Sequence, residues 1–145
     1  MARQYMWVQD PDAGGVKIPD RIKPEIKRRI EAVAEKHFKG KYTRLDIRFR
    51  NQFCYIDAYR EPDWPDDWQP PKDWPETREQ FIERLRNTPT HLCRLRHYSD
   101  RDGRWSFAFY KYSDEKYELC IFDNGTFYGT PEEAFFESAR AYLEG

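Results

Sequence analysis

The stretch "KYTRLDIRFRNQFCYIDAYRE", residues 41–61, alternates apolar and polar side chains at period two. Thr43, Leu45, Ile47 and Phe49 fall on one side, and Tyr42, Arg44, Asp46 and Arg48 on the other. Successive side chains of a strand point to opposite faces, so this pattern predicts a half-buried strand and its hairpin partner. A two-residue turn at Arg50 and Asn51 would set Ile47 opposite Cys54, Leu45 opposite Ile56 and Thr43 opposite Ala58. On the other face it would set Arg44 opposite Asp57 and Tyr42 opposite Tyr59, an ion pair and an aromatic pair. Further on, "HLCRLRHY", "RWSFAFYKY", "KYELCIF" and "TFYG" read as strands separated by the turn formers "SDRDG", "SDE" and "DNG". Connections this short make only antiparallel neighbours, because a parallel return needs a crossover of about a dozen residues.

Helices flank this meander. "KPEIKRRIEAVAEKHF" places Ile22, Ile26, Ile30, Val33 and His37 on one face, with Pro24 in the first turn and Gly40 past the end. "TREQFIERLRN" predicts a short helix in which Thr77 and Gln80 form a capping box and Phe81, Ile82 and Leu85 face inward. "TPEEAFFESARAYL" carries Thr130 at the N-cap, Pro131 at the first helical position and Glu133 closing the box, with Phe135, Ala139 and Tyr142 aligned. The order predicts an α+β fold: a single antiparallel sheet of about five to six strands, hairpin plus meander, with N- and C-terminal helices packed on it. One domain spans residues 1–145, with 1–18 as a flexible N-terminal arm and 61–76 as a Trp/Pro-rich insertion.

The mean hydropathy of -1.05 would suit a disordered chain, but 17% of the residues are aromatic, which disordered chains avoid. The core is therefore built from rings, each burying on the order of 150–250 Å². No apolar run approaches the roughly 20 residues of a membrane helix, and the first residues lack the apolar core of a signal peptide, so a cytoplasmic protein without membrane contact is expected. Cys54, Cys93 and Cys120 form no C-x-x-C pair and lie in strand-like runs, which makes them reduced packing residues.

Charge is blocked along the chain: residues 16–50 carry 12 Lys/Arg against 5 Asp/Glu, and residues 57–83 carry 3 against 9. Blocks of opposite sign neutralise each other on folding. His91, Cys93 and His97 alternate onto one strand face that Cys54 and Cys120 could join. Structural zinc sites instead bring ligands in close pairs on turns, so no metal and no cofactor is assigned. Should the chain be an enzyme, Asp57, His91, Cys93 and His97 are the candidates. Asp46 or Glu61 could pair with Asp57 as two carboxylates, though pairing of Asp57 with Arg44 competes.

Arg44, Arg48, Arg94 and Arg96, interleaved with Tyr42, Phe53, Tyr55, Tyr59 and Tyr98, resemble a surface that stacks bases and tracks phosphates. A nucleic-acid-associated protein is thus one alternative, although the aromatic pattern of an RNA-recognition motif is absent.

The competing expectation concerns "EPDWPDDWQPPKDWPETREQF", with Trp64, Trp68 and Trp74, five prolines and a cluster of carboxylates. It reads as an ordered strap over the basic sheet face, its acids beside Arg44, Arg48, Arg94 or Arg96. Candidate binding residues are Trp64, Trp68, Trp74, Arg44, Arg48, Arg94, Arg96 and Tyr55. The leading expectation is a small non-enzymatic binding module for a protein or small ligand, with no oligomeric state assigned; an enzyme of unrecognised class is the remaining alternative.

"GKYTRLDIRFRNQFCYIDAY", "LRNTPTHLCRLRHYSD" and "WSFAFYKYSDEKYELCIFDNGTFYGTPEEAF" together cover about half of the chain and closely resemble a family of short bacterial proteins with no assigned function. That resemblance implies a bacterial origin and a shared fold, and no activity, cofactor or substrate.

Overall fold

A computed structural model describes residues 14–98 and 104–144. Its elements are α1 (Lys23–His37), β1 (Arg44–Arg50), β2 (Phe53–Tyr59), α2 (Arg78–Arg86), β3 (Thr90–His97), β4 (Trp105–Lys111), β5 (Lys116–Cys120) and α3 (Pro131–Leu143). The five strands form one antiparallel sheet in sequence order, β1-β2-β3-β4-β5, so the fold is α+β. Among the described residues no helix is long and apolar enough to cross a membrane.

One sheet face and the two longer helices enclose the core. From the sheet come Cys54, Ile56, Cys93, Leu95 and Phe107; from α1 come Ile26, Ile30 and Ala34; from α3 come Ala134, Phe135, Ala139 and Leu143. Phe38 packs edge-on against Phe135, with ring centres 5.8 Å apart. Ala34 on the last turn of α1 and Phe38 just past it take the buried places, while His37 lies at the exposed margin, edge-on to Phe136. Both capping boxes form, Thr77 with Gln80 and Thr130 with Glu133. Each satisfies backbone N–H groups that a helix start leaves unpaired.

The β1–β2 hairpin turns one residue later than the spacing predicted. Asn51 adopts φ 54°, a left-handed conformation that asparagine tolerates better than most residues, and the loop becomes Asn51-Gln52. Each partner therefore moves by two: Ile47 faces Ile56, Leu45 faces Ala58 and Arg44 faces Tyr59. An even shift keeps every side chain on its own face, so the expected core survives while the Arg44–Asp57 pair does not. Tyr42, expected outward, packs against the core.

Residues 14–18, read above as part of a flexible arm, are tied down. Val16 N–H donates to the His97 carbonyl, Ile18 N–H donates to the Asn51 carbonyl, and the Ile18 side chain is fully buried. Gly15 sits at φ +86° with the His97 carbonyl 2.7 Å from where a Cβ would be, so no other residue fits without displacement. Residues 1–13 of that arm and the predicted 99–103 turn lie outside the described residues. "TFYG" makes no strand, only a bridge of Gly129 to Trp105, because Asn124 and Thr126 bond locally: the Asn124 Oδ1 accepts from both the backbone N–H and the hydroxyl of Thr126.

On α3, burial and the neighbouring Asp123 push the Glu137 carboxyl from its ordinary 4.5 up to about 7. The folded chain thus holds this proton more tightly than the unfolded one, and the carboxyl costs stability progressively as pH rises from 4.5 to about 7. Glu137→Gln removes the ionisation. With allowance for solvent screening, it is expected to raise stability at pH 8 by about 1 kcal/mol and to leave it unchanged at pH 4. Thermal melts of both proteins at the two pH values check this.

Candidate functional site

The sheet face away from the helices is lined by Arg44, Asp46 and Arg48 of β1, Phe53, Tyr55 and Asp57 of β2, Arg94 and Arg96 of β3, and Tyr110 and Tyr117 of β4 and β5. Its arginines are largely committed. Arg94 is buried between Phe53 and Tyr117, its guanidinium 4.1 and 4.9 Å from the two ring centres. Arg96 is 2% exposed, lies against Tyr98 and donates to the Ser106 hydroxyl. Arg48 donates to the carboxylates of Asp46 and Asp57. Arg44 stacks at 3.8 Å on its cross-strand neighbour Tyr59 and stays exposed. The face is covered by its own aromatic side chains, which corrects the expectation that the tryptophan segment covers it.

Within this face lies a buried carboxylate. Asp57 is 2% exposed; its Oδ2 accepts from the Arg48 Nη1 at 2.8 Å and its Oδ1 from the His91 Nδ1 at 2.9 Å. Arg48 is held protonated even more firmly than usual, first by the hydrogen bond to Asp57. A bulge brings His91 there. The β2–β3 register changes between Ile56, which faces Cys93, and Asp57, which faces His91, and the extra residue, Leu92, turns inward to the core. His91, Cys93 and His97 therefore do not share a face as their spacing implied. Cys93 and His97 belong to the core, where burial pushes the Cys93 thiol up to about 12 and His97 packs on Trp105. Cys54 is likewise buried and its thiol held protonated. Among the described residues no group of three His, Cys, Asp or Glu could hold a metal ion.

The His91 ring lies 4.8 Å from Tyr110 and stacks on Tyr112 at 6.2 Å, and its backbone N–H donates to the Tyr112 hydroxyl. Burial pushes the phenols of Tyr112 and Tyr117 above their ordinary values, so both remain neutral at physiological pH. No sequence signal marked the Tyr112 contribution, because it comes from the turn just past the end of β4.

The tryptophan segment folds back on the helix that follows it. Trp64, Trp68 and Trp74 all meet the ring of Phe81 on α2, with centres 5.2, 4.8 and 6.0 Å away. Phe81 is buried outside the main core. The Arg78 guanidinium donates to the carbonyls of Trp68 and Pro65, Arg84 pairs with Glu76, and Arg86 pairs with Glu61 and Glu83. The strap's acids thus meet the arginines of α2 rather than those of the sheet. Trp64 and Trp74 remain 40% and 41% exposed. Beside them Asp63, Asp66, Asp67 and Asp73 are exposed and make no ion pair among the described residues. Comparison with family models, with curated proteins and with solved structures finds no match to this chain.

Proposed function

We propose that this chain is a binding module whose docking surface is the strap on α2, and that its partner is a Lys/Arg-rich peptide segment of another protein. The observation that carries this reading is the pair of tryptophans, Trp64 and Trp74, left two-fifths exposed beside exposed aspartates that make no ion pair among the described residues. Indole rings that size stay in water at a cost, and clusters of them mark interaction surfaces. Cationic side chains satisfy both features at once, lying over indole faces for about 0.5–2 kcal/mol each while their charge meets Asp63, Asp66, Asp67 and Asp73. The prolines of the strap limit the ordering entropy that binding would otherwise cost. The nucleic-acid reading draws less support, since three of its four arginines are buried or bonded to carboxylates.

Titration of the protein with an arginine-rich nonapeptide, read by tryptophan emission, tests the proposal. Binding is expected to weaken with salt, to be absent for an oligoglutamate of the same length, and to fall at least fivefold in the Asp66→Asn/Asp67→Asn double variant. Equal response to the two peptides would contradict it.

A further inference from the structure

Nothing in the strap reading uses the Asp57–His91 pair, and its geometry is that of a positioned base. Because Asp57 is a carboxylate that accepts from Arg48, the His91 Nδ1 must be the donor in the 2.9 Å contact, which fixes the tautomer and leaves the Nε2 lone pair free. The side chain of His91 is 35% exposed, and Nε2 has no hydrogen-bond partner among the described residues and is not among the buried unsatisfied atoms. It therefore faces solvent. The Tyr112 hydroxyl accepts the His91 backbone N–H, so its own proton is free to be donated beside the ring. A bulge re-aims His91 to this place, a device found disproportionately near active sites.

We propose that His91 and Tyr112, with Asp57 as the positioning residue, form a general-base centre that hydrolyses small carboxylic esters carrying an aromatic group. The ring of the ester stacks on the exposed face of Tyr112. The neutral Nε2 takes a proton from a water molecule as the water oxygen bonds to the acyl carbon, and the carbonyl electron pair moves onto its oxygen, which accepts from the Tyr112 hydroxyl. Collapse re-forms the carbonyl and breaks the bond to the leaving alcohol, which takes the proton from Nε2. Water and ester become acid and alcohol, and His91 returns to its neutral form. General-base assistance of this kind contributes about 10²–10⁴-fold.

The groups facing His91 set the sign of the pH dependence. Asp57 lies across on β2, with its charge matched by Arg48 on β1; Tyr110 comes from β4 and Tyr112 from the turn just after it, and Tyr142 of α3 touches Tyr112. A base must be neutral to take a proton from water, so the rate should rise with pH and then level off once the ring is neutral. The test is hydrolysis of 4-nitrophenyl acetate from pH 5 to 8.5. The parent is expected to exceed His91→Gln by at least tenfold at the plateau and Tyr112→Phe by about threefold. Asp57→Asn, whose amide would favour the other tautomer, should lower the plateau without moving the far-UV spectrum. The side chain of His91 is 35% exposed and a Gln amide there can still donate to Asp57, and a far-UV spectrum matching the parent's checks that His91→Gln is folded when its rate is read. A parent rate equal to that of His91→Gln, or one simply proportional to hydroxide, overturns the proposal.

Discussion

Replacing Phe81 with alanine is expected to detach the strap while leaving the sheet folded. Among the described residues Phe81 is the one ring that all three strap tryptophans share, at 4.8–6.0 Å between centres, and it is 7% exposed. Large-to-small changes at such a site cost about 3–5 kcal/mol, and here the loss falls on a satellite cluster whose only central apolar anchor is removed. Local clusters of this sort open independently of the main core. The expected result is tryptophan emission shifted to the red and rapid amide exchange in α2, with exchange in β3 and α3 close to that of the parent. Loss of both regions together would mean that the strap and the sheet are one cooperative unit.

Asp57→Ala carries the second large effect, an expected loss of about 3 kcal/mol. The buried carboxylate accepts two hydrogen bonds from groups that carry or can carry positive charge, each worth about 1.5–3 kcal/mol when the charged partner stays paired. Part is recovered because Arg48 is half exposed and can return to water. At roughly 2–4 °C per kcal/mol for a chain of this size, the midpoint should fall by about 6–12 °C. Arg44→Ala on the same face removes one exposed stacking contact with Tyr59 and should cost under about 1 kcal/mol. Thermal midpoints of the three proteins decide between these values; similar midpoints for both variants would remove Asp57 from its place as the anchor of the face.

What the chain reveals of itself follows the range of each interaction. Both capping boxes, the period-two strands and the antiparallel order were legible because each depends on residues within a few positions of one another. The hairpin register was legible in its faces and not in its pairing: the difference lay in whether Asn51 stands second or first in the turn, a choice set by one positive φ. The bulge at Leu92 was invisible, since "THLCRL" contains no glycine or proline to announce it, and with it went the meeting of His91 and Asp57. The strap was recognised as ordered and assigned to the wrong cover. Its acids had two sets of arginines to choose from, and Glu76 reaches Arg84 across a loop of only eight residues, at less entropic cost than any sheet arginine.

The central claim is that the strap on α2, and not the sheet face, receives a basic partner. Proton–nitrogen chemical-shift mapping with the arginine-rich nonapeptide tests it most directly, because the five indole N–H signals and the backbone amides of each region report separately. The account predicts that the indoles of Trp64 and Trp74 and the amides of residues 63–74 move with added peptide while those of β1 to β4 stay in place. Shifts centred on Arg44, Tyr55 and His91, with the strap signals unmoved, would contradict it.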